Sequence, residues 1–454
     1  MDTPFPFELL LAFAVMGSFL WLGSFLRAKV PLFRNYMVPS SLIGGVIGLV
    51  FFNLGLIPVG HEMFQTIAYH FFVISFISIG LTTAEKIKDK SAARQIFRGA
   101  GWLGLVNIFS MASQTLLGML ICAFLVTLGL NLHPNFGYML GLGFTQGPGQ
   151  ILTFARLWEL EAGFTNAVDV GLALKVMGFF FAFLGVPVAN WGIRKGYAAA
   201  VGGGEIPEHV LRGMHREGEE MEAAGYMPMY TSNIDSLAFQ FSAVGVAYGI
   251  TYFYYYLLSL VFANMAVLWG FFFGGALLSA ILMKFVMSKL KVFYLIDQGL
   301  QRRISGWSVD FLMVATIIPI SLPVVWEFIT PIMVMSVAAG LWTFAFCFYL
   351  GRRISPLGLE RMLIIYGSNC GTIINSLLLL RIVDPQFRTT APMECGSFVL
   401  FSFPGVMAVL ILLTSGASLG LGFWHISGIL AGMCVLCIVL LKAFGLIEKG
   451  TKSY

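Results

Sequence analysis

Residues 143–154 read GFTQGPGQILTF, with three glycines, a proline, two glutamines, two threonines and no charge. These residue types present hydrogen bonds. Thr145, Gln146, Gln150 and Thr153 carry side-chain donors and acceptors, while Gly147 and Gly149 let a ligand come close to the backbone. Pro148 removes a helix hydrogen bond and interrupts the run. A second stretch, YGSNCGTIINS at 366–376, offers Ser368, Asn369, Gly371, Thr372 and Asn375 in the same way. The chemistry such groups do is recognition of a polar or ionic small molecule by neutral side chains and backbone. Nucleotide-binding loops, zinc-protease motifs and nucleophile elbows are absent from the sequence, so enzyme catalysis is not expected.

The elements that hold these two stretches are apolar. Of 454 residues, 58% are hydrophobic and 11% charged, against about 25% charged in a soluble domain. Mean hydropathy is +0.86. The expected fold class is an all-α polytopic membrane protein. A crossing needs roughly 20 apolar residues, which predicts spans near 7–26, 38–57, 63–83, 99–128, 164–193, 236–260, 264–288, 308–328, 330–350, 391–414 and 424–444. Segments 136–156 and 362–383 are too interrupted by Gly, Pro and Asn to be ordinary spans, and they read as re-entrant hairpins. The start, MDTPFPFELL, has acidic residues where a cleavable signal would be basic. The six cysteines lie in or at the ends of apolar runs, where a disulfide framework is not expected.

Charge placement sets the expected orientation. With the amino terminus outside and both hairpins entering and leaving by one face, the bases fall inside. These include Arg27, Lys29, Arg34, the run from Lys86 to Arg98, the linker bases and the tail bases Lys442, Lys449 and Lys452. Of the 27 Lys and Arg, only Arg156 and Lys175 fall elsewhere. The net charge of +5 is therefore a topology signal, and nucleic acid is not an expected partner.

On this reading the chain contains two inverted repeats, each of five helices plus a re-entrant hairpin, and one extra C-terminal helix. YMLGLGFTQGPGQILTFARL (138–157) parallels RMLIIYGSNCGTIINSLLLLRI (361–382), and AVDVG (167–171) parallels PMECG (392–396). The expected divisions are 1–193 for the first repeat with hairpin 136–156, 194–234 for a cytoplasmic linker, 235–415 for the second repeat with hairpin 362–383, and 416–454 for the extra helix and tail. The linker's Val210, Leu211, Met214 and Met221 predict a short amphipathic helix. Opposed repeats with interrupted segments meeting near mid-membrane are the architecture of secondary carriers.

A charge inside the hydrocarbon costs about 2.5–3.5 kcal/mol on insertion scales, so Lys175, deep in its helix, is a candidate functional residue. Asp169, six residues earlier, points about 120° away, so each needs a partner elsewhere. Asp169 and Glu394 fit two roles, cation or proton handling and capping of a helix start. Arg156 and Arg381 fit attraction of an anionic solute or anchoring to headgroups. For Lys175 the two readings are an ammonium in the space of a bound sodium and a charge that snorkels or pairs to hold helices together.

The sequence resembles the bacterial sodium/glutamate symporter family over most of its length. MVPSSLIGGVIG (37–48) is similar to that family's Pro-x-Pro-x-x-Gly-Gly segment, with Ser41 at the second proline. RRISGWSVDFLMVATIIPISL (302–322), FTNAVDVGLALKVMGF (164–179) and APMECG (391–396) are similar to other segments of it. There are departures. The family's Ser-Gly-Gly-His-Gly-Thr-Gly run is here Thr-Gln-Gly-Pro-Gly-Gln, its Gly-Ala-Thr-Pro-Thr is Ser-Asn-Cys-Gly-Thr, and Lys175 aligns with a small residue. The resemblance implies an elevator-type symporter with scaffold and transport domains, a homodimer in the bacterial inner membrane moving a glutamate-like anionic amino acid with sodium, the ion near Asp169. No organic cofactor or other metal is expected. The alternatives are a sodium-independent or proton-linked carrier of another carboxylate, and a channel. Cysteines introduced on either side of 143–155 are expected to label from the same face of the bilayer; labelling from opposite faces removes the re-entrant reading.

Overall fold

The computed structural model describes residues 6–82, 90–200, 208–219, 221, 223–260, 269–384, 388–416 and 419–447. Lys86, Lys88, Lys449, Lys452 and the start of the expected 264–288 span lie outside the described residues. The described residues form helices and no strand. Among the described residues eight helices are long and apolar enough to cross a membrane, which makes this a multi-pass membrane protein.

The main helices, in chain order, are α1 (Glu8–Lys29), α2 (Ser40–Asn53), α3 (His61–Leu81), α4 (Lys90–Thr127), α5 (Tyr138–Thr145), α6 (Pro148–Glu161), α7 (Ala167–Ala182) and α8 (Gly185–Arg194). After the linker come α9 (Ser236–Ser259), α10 (Phe272–Lys289), α11 (Gln298–Ile317), α12 (Ile329–Gly351), α13 (Gly358–Cys370), α14 (Ile373–Val383), α15 (Ala391–Ser415) and α16 (Phe423–Ala443).

Several bounds differ from the apolar pattern, each for a local reason. Helix α11 covers 298–317 instead of 308–328. Asp297 caps its start by accepting from Leu300 N at 2.8 Å, and Pro319 cannot continue it. Helix α4 begins at Lys90, nine residues before the expected span. At 1.5 Å per residue it is about 57 Å long, well beyond a hydrocarbon core of about 30 Å. Helix α13 begins at Gly358, earlier than hydropathy suggests, because Glu360 and Arg361 are buried with tertiary partners. Among the described residues of the linker only Glu208–Arg212 is helical; Gly213, at φ +73°, ends it, and Met214 and Met221 lie exposed beyond.

The chain forms two compact units, one of residues 1–85 and 212–320, the other of 86–211 and 321–454. In the first, α3 packs against α10 and α11, and α2 against α1 and α11. Gly44 and Gly48 make a Gly-x-x-x-Gly stripe on α2, and small residues of this kind let membrane helices approach backbone to backbone. A Cβ on Gly44 would overlap the Phe19 carbonyl, and one on Gly23 the Ser40 carbonyl. Gly48 meets the Ile318 side chain, at 2.6 Å from where its Cβ would stand. Beside this seam Ser41 donates a hydrogen bond to Asp310 of α11, in the field of Arg27. A hydroxyl at 41 thus supplies what a proline there lacks.

In the second unit α4 is the axis, contacting α5, α12, α15 and α16. The helix pairs α5–α6 and α13–α14 both belong to this unit, and α7 packs against α5, α6, α12 and α13. Substituting Gly44→Ala is expected to force α1 from α2 and cost about 1–3 kcal/mol, the usual price of overpacking. It should appear as a lower thermal midpoint of the purified protein; an unchanged midpoint contradicts the seam.

Candidate functional site

The two interrupted segments close their breaks with the same device. In the first, α5 ends at Thr145, Gln146 and Gly147 are extended, and Pro148 is the first residue of α6. Pro148 therefore starts a helix with the fixed φ suited to that position, and its missing N–H costs nothing there. The Gln150 side chain turns back so that its Oε1 accepts from Gly147 N at 3.0 Å. In the second, α13 ends at Cys370, Gly371 and Thr372 leave the helix, and Asn375 Oδ1 accepts from Thr372 N at 3.2 Å and from Thr372 Oγ1 at 3.0 Å. Each is an amide three residues into the second half-helix, capping its N-terminus.

Gln114 on α4 joins the two breaks. Its Oε1 accepts from Thr145 Oγ1 at 2.5 Å, and its Nε2 donates to Asn369 O at 3.2 Å and to Thr343 Oγ1 of α12 at 2.7 Å. The Asn369 carbonyl can only accept, which fixes the amide's orientation. One turn or two away on α4, Ser110 Oγ lies 3.3 Å from Thr145 Oγ1, and Asn107 Nδ2 donates to Asn369 Oδ1 at 2.8 Å. Trp342 Nε1 donates to Ser113 Oγ at 3.0 Å. All these polar groups except the tryptophan are buried. Asn369 Nδ2 is buried with no oxygen or nitrogen acceptor, only the Cys347 sulfur beside it.

Lys175 joins the same breaks from the other side. It is 1% exposed, and its Nζ donates to Phe144 O at 3.2 Å and Gly371 O at 2.5 Å, with the Phe179 ring centroid 4.9 Å away. Gly178, one turn on and on the same face, lets the segments close on α7, because a Cβ there would stand 2.5 Å from Cys370 O. Gly143 does likewise against the Leu174 Cβ, at 2.9 Å.

The structure thus brings Thr145, Asn369, Gly371 and Lys175 together. Gln146 is buried beside them, its Nε2 on Met111 Sδ at 3.2 Å, and Ser368 is also buried. Gly147, Gln150, Thr372 and Asn375 form the two caps. Gly149 and Thr153 interact within α6, Thr153 Oγ1 donating to Gly149 O at 2.8 Å. The two carboxylates lie elsewhere. Asp169 Oδ1 accepts from Ser321 N at 2.8 Å, at a point about 9 Å along α7 from Lys175. Glu394 is held by Arg361 (2.7 and 2.8 Å) and by Thr390 Oγ1 (2.8 Å). Arg361 is eight residues, about 12 Å, from Asn369 along α13, so this pair braces the far end of that helix. Arg156 pairs with Glu159 at 3.1 Å.

The sodium/glutamate symporter family matches residues 5–351, from α1 through α12. The chain belongs to this family. It is therefore a member of a family of membrane transporters. The second interrupted segment, α15 and α16 lie beyond the matched residues. A search of curated proteins found no match.

Sequence reasoning about this symporter-family chain missed Gln114, Asn107, Thr343 and the Arg361–Glu394 pair. One signal was available: NIFSMASQT (107–115) puts Asn107, Ser110, Ser113 and Gln114 on neighbouring turns of an otherwise apolar helix. Replacing Gln114→Leu removes its bonds to Thr145, Thr343 and the Asn369 carbonyl, at about 1–3 kcal/mol for each buried group left without a partner, Thr145 keeping only Ser110. A thermal midpoint lowered well beyond that of Ser113→Ala is expected; equal midpoints contradict the hub role.

Proposed function

We propose that this chain is a secondary active transporter that moves a small anionic solute, a glutamate-like amino acid, together with a cation. The observation that carries the reading is the pair of interrupted helices in one compact unit, joined at their breaks through Gln114 and Lys175. The N-termini of α6 and α14 are positive ends of helix dipoles, suited to an anion. Asn369 Nδ2, a buried donor with only the weakly accepting Cys347 sulfur beside it, suits a solute carboxylate. The Gly147, Gly149 and Gln150 turn and the Thr372 and Asn375 turn supply close backbone approach and amide groups. The family supports glutamate as solute and sodium as the coupling cation. Asp169 and Glu394, away from the breaks, act in this reading as a capping charge and a strut.

The helix order supports the repeat reading. Helices α1–α4, an interrupted pair and α7–α8 in the first half are followed by α9–α12, an interrupted pair and α15 in the second. Each compact unit draws on both halves. The first takes α1–α3 and α9–α11; the second takes the fourth helices, both interrupted pairs and the helices after them. We assign the first as a dimeric scaffold and the second as the transport body of an elevator, in a bacterial inner membrane with the amino terminus outside.

Reconstituted protein is expected to accumulate labelled glutamate under an inward cation gradient, with saturation and with faster entry into vesicles preloaded with unlabelled glutamate. Asn369→Ala should lower this uptake by about tenfold, a loss of about 1.4 kcal/mol. Absence of saturable, counterflow-competent uptake for glutamate, aspartate and dicarboxylates overturns the proposal.

A further inference from the structure

Two backbone carbonyls at the breaks lack helical partners. The Phe144 carbonyl would accept from the nitrogen of residue 148, which is Pro148 and carries no hydrogen. Gly371 lies outside both half-helices, and among the described residues no backbone N–H donates to its carbonyl. Both oxygens receive Lys175 Nζ instead. Oxygens at the C-terminal ends of interrupted helices are the ligands that carriers of this general kind present to sodium. They are hard, neutral and aimed at one point.

The charge arithmetic fits a monovalent cation. Among the described residues Lys175 pairs with no carboxylate. An ammonium buried without countercharge is costly, but the C-terminal ends of α5 and α13 each present roughly −0.5 charge, together about one elementary charge. The Phe179 ring adds a negative π face. A lysine whose task was only to tie helices together would gain more from a carboxylate, and none is provided.

We propose that the Lys175 ammonium is a tethered monovalent cation that permanently fills a cation position shared by the two breaks. This rests on the carrier reading and deepens it: one cation site is occupied by the chain itself, so transport needs one fewer mobile cation than it would with a small residue at 175. Emptying the position converts it into a site for a free monovalent cation.

The test uses full-length purified protein and no transported solute. Thermal midpoints of wild type and Lys175→Ala are measured against sodium chloride and methylammonium chloride, with choline chloride holding ionic strength constant. Lys175→Ala is expected to gain a saturable stabilisation by sodium, half-maximal at a concentration about tenfold or more below any wild-type response. Methylammonium, which restores the missing head group, should stabilise the variant alone. If Lys175→Ala aggregates in choline, purification in sodium or methylammonium is expected to recover it. Identical responses in the two proteins, or a variant that neither cation stabilises or recovers, overturn the proposal. Because no solute enters the assay, such a result leaves the carrier reading standing, and failure of glutamate uptake in wild type leaves the cation site standing.

Discussion

A helix interrupted inside an apolar body must hand its freed carbonyl and amide groups to a partner, because hydrocarbon offers none. The second compact unit depends on how this obligation is met twice. Gln150 and Asn375 cap the restarted half-helices from within. Gln114 then takes up Thr145 and the Asn369 carbonyl, and Lys175 takes up the Phe144 and Gly371 carbonyls. Two long polar side chains, from α4 and α7, thus link breaks that lie far apart in the chain. Removing either one strands groups on both segments at once.

Close packing makes those bonds attainable. A lysine or glutamine can join two backbones only if the helices come nearer than ordinary side chains permit, and Gly143 and Gly178 provide the room. The Arg361–Glu394 pair, fully buried at the far end of α13, sets where that half-helix starts and so where its C-terminal carbonyls end up. Gly99 leaves space for this pair, since a Cβ there would overlap the Glu394 carboxylate. The first unit uses the same device for another purpose: Gly23 and Gly44 bring α1 and α2 into backbone contact, and Gly48 makes room for the Ile318 side chain.

Much of the fold was legible in the sequence because apolar length and helix-breaking residues are local properties. The two interrupted segments announce themselves by Gly, Pro, Asn and Gln inside apolar runs, and their breaks fall within the expected stretches. Bounds set by polar turns were less legible. Helix α11 starts ten residues early and α13 four, because Asp297, Glu360 and Arg361 are accommodated by capping or tertiary partners that hydropathy counts only as cost.

The sequence alone determined that the chain is a bundle of membrane-crossing helices with two hydrogen-bonding interruptions and one lysine too deep to be incidental. Composition and spacing suffice for that, since desolvating a charge or breaking a helix in hydrocarbon carries a penalty readable residue by residue. Which carbonyls receive the lysine, that Gln114 joins both breaks, and that Asp169 and Glu394 stand apart were decided only by the tertiary structure. Those pairings join residues 31 to 255 positions apart, and hydrogen-bond geometry over such separations is fixed by how helices pack.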